Sequence, residues 1–346
     1  VLLLAAFNAA EIIYLFIHKA NVEKDEKRKE ELKHRAATAI ITVTDPTAVL
    51  KRPAEELEYS AYSEAVASVI ESFEGEVAGR AAGIITAFGI DSYYRNLARG
   101  PVWYKRASAI DILSSFKLKE NREFFLGVFR SETSNTVKYR VLYGLSLLVR
   151  DLNDIDQVAK MLSSLPYLTA KYTEDIFFNI ITAVKLAGKE DEFGLFMTRS
   201  MKDPGVRLLL KRDALSACYY ASCERAMPIV KAYYDFFPDE PEILVACIKS
   251  LVRMGDFSIT RGALKHKDWR VRLTAVKYAQ LGGTEILPDL EAMLRDRNYH
   301  LRVNAAIALT KMNAQGMKIL RAEAASKDKY AADAASYALT LAKAGS

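Results

Sequence analysis

A gap-free 30-residue repeat restricts this chain more than any other feature. Asp268-Trp-Arg-Val271-Arg272-Leu-Thr-Ala275-Val276 is followed thirty residues on by Asn298-Tyr-His-Leu301-Arg302-Val-Asn-Ala305-Ala306. Thirty more bring Asp328-Lys-Tyr-Ala331-Ala332-Asp-Ala-Ala335-Ser336. A turn residue, an aliphatic, a small Ala and a late apolar residue (Leu309, Leu339) recur in step. The apolar positions fall at helical intervals, and between the copies lie second apolar-periodic stretches such as Ile286-Leu287-Pro288 to Leu294. Each unit therefore reads as two antiparallel helices joined by a short turn. One such pair cannot bury its apolar face alone, so the units must stack into a continuous core.

Fainter copies run upstream. Asp203-Pro-Gly-Val206-Arg207 repeats the turn and the Val-Arg pair, and Glu242-Ile243-Leu244 leads to Cys247, Ile248 and Leu251. Gly75-Glu-Val77, Lys105-Arg106, Asn135-Thr-Val137 and Thr173-Glu174-Asp175 each lead into an apolar-periodic run. Asp203, Asp268, Asp328, Asn135 and Asn298 sit where they could cap the second helix of a pair. Gly75, Gly79 and Gly83 form a helix-spaced row that suggests close packing. The fold class expected is all-α, an α–α superhelix.

The pattern resembles HEAT repeats of the short bacterial, phycobilin-lyase-like type, specific in the last third and degenerate but continuous from about residue 60. Longer HEAT and armadillo repeats run to about 40–47 residues. The resemblance implies a ladder along the stack, in which an arginine in the first turn of each second helix pairs with the turn acid of an adjacent repeat. Arg207, Arg272 and Arg302 match the arginine, and Asp268 matches a turn acid. It also implies a long concave binding surface rather than an active site.

The chain opens with an apolar run, Leu2 to Ile17, before turning charged at His18. As a helix it spans about 24 Å, short of the ~30 Å hydrocarbon core; a few apolar residues before Val1 would complete a span. Residues 1–18 are accordingly expected to be a single transmembrane helix, incomplete at its N-terminus. Ala5, Asn8, Ala9, Glu11 and Leu15 form its expected partner face. The alanines suit close helix approach, and a mid-membrane carboxylate must meet protein rather than lipid. Residues 19–58 read as a charged juxtamembrane helix and linker, and 59–346 as the solenoid. Lys19, Lys24, Lys27, Arg28, Lys29, Lys33 and Arg35 follow the run, which would place the solenoid in the cytoplasm and bring those residues near anionic headgroups.

Chemistry is sparse. The His 4 contain no metal-binding pair, and Cys 3 is too few for a disulfide framework. Cys218, Cys223 and Cys247 read as buried helix residues. Phosphate-loop, dinucleotide and nucleophile-elbow motifs are absent. The Asp-x-Asp at Asp154 and Asp156 precedes a helix and reads as an acidic N-terminal cluster. No catalytic residue, cofactor or metal is expected. Lys+Arg 49 against Asp+Glu 43 gives +6, too mild for a dedicated nucleic-acid binder. Residues 261–346 hold fifteen basic against eight acidic residues, a net +7. Trp103 and Trp269 could supply the rings that an alkyl-base glycosylase needs, but no arrangement of acids stands out beside them; in aromatic pairs such as Phe177-Phe178 and Tyr219-Tyr220 at most one ring can point fully inward.

The expected function is a non-enzymatic, membrane-anchored scaffold. It would touch the bilayer and a membrane-embedded protein through its first helix and a protein through its solenoid, holding a complex such as a bacterial polysaccharide synthase or other envelope machinery. The alternatives are a HEAT-like enzyme, either a bilin lyase or an alkyl-base DNA glycosylase, and a soluble protein- or nucleic-acid-binding scaffold.

Overall fold

The computed structural model describes residues 2–167, 169–221 and 224–344, and the side chains of residues 2–10, 12 and 224 lie outside that description. The described residues form nineteen α-helices and four short 3-10 turns, with no strand. They group into two compact units, residues 1–148 and 149–346.

The first unit holds α1 (Leu2–Thr42), α2 (Glu56–Ser72), α3 (Gly75–Phe88), α4 (Ile90–Leu97), α5 (Trp103–Ser115), α6 (Asn121–Ser131) and α7 (Asn135–Ser146). Its first helix runs 41 residues without a break at the change from apolar to charged sequence. The C-terminal half of α1 packs along α2 and reaches α3, with Ala36 and Ile40 fully buried. Its cations dock it there: Arg28 pairs with Glu55 and Glu58, and Lys29 and Lys33 with Glu64. Arg80 of α3 closes the helix end, donating Nε to Ile40 O at 2.8 Å and Nη2 to Ile41 O at 2.9 Å. These are carbonyls that a helix C-terminus otherwise leaves unpaired.

This arrangement corrects the expected transmembrane anchor. Among the described residues no helix is long and apolar enough to cross a membrane. The apolar run is short, contains Glu11, and passes directly into charged helix that belongs to the folded unit. The single-pass placement, and the cytoplasmic side assigned to the remainder, lose their basis with it. Ile13, Tyr14, Leu15, Phe16 and Ile17 are exposed, as is Glu11.

The second unit holds α8 (Leu152–Ser163), α9 (Ala170–Leu186), α10 (Glu190–Lys202), α11 (Leu208–Ala221), α12 (Met227–Phe236), α13 (Pro241–Arg253), α14 (Thr260–Ala263), α15 (Trp269–Tyr278), α16 (Leu287–Met293), α17 (Tyr299–Thr310), α18 (Asn313–Ala324) and α19 (Lys329–Ala344). The helices α9, α11, α13, α15, α17 and α19 pack each on the next to form one layer. A second layer is built from α8, α10 and α12 and, further on, α14, α16 and α18, which lie against the first. Ala275, Ala305 and Ala335 are fully buried where neighbouring helices approach, among Val271, Leu290, Leu294, Leu301 and Leu320.

Caps hold the repeat in register. Asp268, Asn298 and Asp328 each accept the N–H two residues on, at 2.8, 2.9 and 3.0 Å. Two expected caps fall elsewhere. Asn135 is the first residue of α7, behind Ser134, and Asp203 ends α10, its carboxylate accepting Gly205 N at 2.8 Å. The glycine row is corrected too, because a Cβ at Gly75, Gly79 or Gly83 would meet open space. The close approach is at Gly144, where a Cβ would sit 2.9 Å from the Phe125 ring and press on Ser114 Oγ.

Candidate functional site

The arginines of the repeat define a recurring side-chain device. In Arg272, Nη1 donates to His266 O and Lys267 O at 2.8 and 2.9 Å, the carbonyls six and five residues earlier. Its Nε and Nη2 grip both oxygens of Asp296 at 3.0 and 3.2 Å. Arg106 in the first unit does the same. Its Nη1 donates to Gly100 O and Pro101 O at 3.1 and 2.9 Å, and Nε and Nη2 hold Glu132 at 2.7 and 2.9 Å. A guanidinium has the planar fork this needs, and the bidentate pair fixes one turn against the next. Both carboxylates are nearly buried.

Each acid also braces its own turn. Glu132 Oε1 accepts the N–H of Thr133 and Ser134, and Asp296 Oδ1 accepts that of Asn298. The Arg106 guanidinium, followed by these backbone donors, holds the Glu132 carboxyl below the usual carboxylate range. Asp296 serves two arginines, because its carbonyl accepts Arg302 Nη1 at 2.9 Å.

The remaining ladder positions behave differently. Asp268 pairs with Arg270 of its own turn rather than with another repeat. Arg207 meets no turn acid among the described residues; its Nη2 donates to Leu162 O at 2.9 Å and its Nε is buried without a partner there. Arg302 keeps its two carbonyls, at 2.9 and 3.2 Å, but makes no ion pair among the described residues. Its guanidinium lies 5.0 Å from the Tyr330 ring centre and 5.8 Å from that of Tyr299.

Around these turns lies a set of exposed rings that the sequence only partly showed. The first residue of α5, α15 and α17 is Trp103, Trp269 and Tyr299 in turn, all exposed, and Tyr104 and Tyr330 follow one place later in their helices. Tyr299, Tyr330 and Tyr337 were missed, although the thirty-residue register from Trp269 points to Tyr299. With Arg302 and Asp333 they line a recess of about 390 Å³. In the first unit Arg99, Phe124, Arg106 and Glu132 line another of about 560 Å³, with Arg99 over the Phe124 ring.

The N-terminal basic residues are structural in part. Lys19 pairs with Glu23, and Arg28, Lys29 and Lys33 bind α2 as described. No ion pair of Lys24, Lys27 or Arg35 appears among the described residues. Of the expected partner face, Glu11 and Leu15 are exposed, and the side chains of Ala5, Asn8 and Ala9 lie outside the described residues. Cys218 and Cys247 are buried, and burial pushes the Cys247 thiol well up; Cys223 lies outside the described residues.

One further polar group is buried. Asp213 of α11 accepts Tyr167 Oη at 3.0 Å, Arg212 Nε at 2.8 Å and the Thr173 hydroxyl. Burial raises its carboxyl above the usual range against these donors. Every partner belongs to the same packed cluster, which reads as an internal brace. Among the described residues no group of three or more His, Cys, Asp or Glu is placed to hold a metal ion.

No family model matches this chain, and no curated protein does. A crystal structure described as an engineered protein is similar at 17% identity over 92% of this chain and 96% of that one, with a TM-score of 0.34.

Proposed function

We propose that the chain is a non-enzymatic scaffold of short HEAT-type repeats that binds other proteins along the starts of its second helices. The observation that carries this reading is the exposed aromatic at one structural position, Trp103, Trp269 and Tyr299, beside arginines already committed to the fold. Nothing in the packing of a helix requires a large ring in water at its first residue. Tyr, Trp and Arg are the residues in which interface energy concentrates.

The test is affinity capture with the full chain from its native cells, comparing it with a Trp103→Ser/Tyr104→Ser/Trp269→Ser variant. These residues are exposed, so the variant should fold. Specific partners recovered with the natural chain and lost with the variant support the scaffold. An identical set of partners from both would overturn this use of the helix starts.

A further inference from the structure

The ladder contains an unfilled position. In four turns the cap residue's N–H is taken by the side chain two places earlier: Glu132 for Ser134, His266 for Asp268, Asp296 for Asn298 and Ser326 for Asp328. Glu132 and Asp296 are also the acids that Arg106 and Arg272 grip. Ser326 is therefore the counterpart that should serve Arg302, and a serine hydroxyl is neither long enough nor charged for that role. Arg302 is posed like the other two, its Nη1 on the carbonyls six and five residues back. The nitrogens that elsewhere take a carboxylate, Nε and Nη2, meet no acid among the described residues. Arg302 lines a recess walled by Tyr299, Tyr330 and Tyr337, each at least half exposed.

We propose that this recess binds an acidic peptide segment of a partner, whose Asp or Glu carboxylate completes at Arg302 the rung that Ser326 leaves open. The occupant follows from charge and geometry. The same arginine pose holds a planar carboxylate twice within this chain, and the tyrosines add flat apolar area with polar tips for a peptide backbone. Asp333 lines the same recess, and its charge opposes a nucleic-acid backbone while leaving room for one carboxylate beside a donor group.

This site rests on the scaffold reading but is separately testable. The probe is a fluorescein-labelled peptide copying residues 129–136, Phe-Arg-Ser-Glu-Thr-Ser-Asn-Thr, whose glutamate fills the rung at Arg106; its Gln version is the control. Titrated with the full chain, the Glu peptide should bind saturably and move the Arg302 Nε–H resonance. The Gln peptide should bind about tenfold more weakly. Ser326→Asp supplies the acid from within the chain and should weaken binding of the Glu peptide by about tenfold, with its melting curve showing that it folds. Tyr337→Ala, an exposed change, should weaken binding while leaving the fold intact. Equal binding of the Glu and Gln peptides, no saturable binding, undiminished binding to Ser326→Asp, or an oligothymidylate displacing the peptide at Arg302 would each overturn the proposal. If the peptide fails while partner capture still depends on Trp103, Tyr104 and Trp269, this site falls and the scaffold stands.

Discussion

At the scale of single residues, the molecule depends on a few arginines that join turns far apart in sequence. Removing Asp296 strands a mostly buried Arg272, and breaking such a pair costs about 3 kcal/mol or more. Asp296→Ala should therefore lower the urea midpoint of the second unit, and a near-unchanged midpoint would show the pair to be idle. Glu132 carries a pH signature. Its carboxyl is held below the usual range in the folded state, so its contribution is complete above the unfolded value of about 4.3 and fades as pH falls through the folded one. The stability difference between the natural chain and Glu132→Gln should be widest near neutrality and narrow in acid. This ladder was only partly legible in the sequence. Arg272 stands out in the clean copies, whereas Arg106 sits in a degenerate one and its acid lies 26 residues on with no local mark. Arg207 matches the motif, but its Nη2 donates to Leu162 O and it makes no ion pair among the described residues.

At the scale of elements, α1 shows how composition can mislead. The step from apolar to charged residues at His18 looks like a boundary, yet helical hydrogen bonds are indifferent to it and the helix continues to Thr42. Its C-terminal end is held by Arg80, whose two bonds to terminal carbonyls are charge-assisted. Arg80→Ala should cost about 2 kcal/mol and speed amide exchange in residues 36–42; unchanged exchange there would mean that burial of Ala36 and Ile40 suffices. The pairing of α5 with α7 rests on a missing side chain. Gly144→Ala would force a methyl against Phe125 and Ser114 and should destabilise the first unit by about 1–3 kcal/mol, measured by thermal melting. The glycines that looked significant, at regular spacing in α3, face open space, so spacing reported helix periodicity rather than contact.

At the scale of the whole molecule, the Arg106–Glu132 pair lies in the first compact unit and the Arg272–Asp296 pair in the second. Asp296→Ala and Glu132→Gln act in different units and share no partner, so their effects should add to within about 0.5 kcal/mol in the double variant. A larger coupling would mean that the units unfold as one cooperative body. The division between residues 148 and 149 was not legible, because the repeat runs through it without a change of composition or a Gly- or Pro-rich linker.

Local chemistry alone settled that the chain is helical throughout the repeat, where each clean second helix begins, and which small residues lie inside. Those properties follow from capping groups and apolar spacing within a few residues of each other. Tertiary structure decided which arginines find an acid, that the opening helix is fastened to its neighbours, and that Arg302 faces a tyrosine-lined recess with its fork unfilled. These depend on distances between residues about 25 to 40 positions apart, which become definite only when the helices stack.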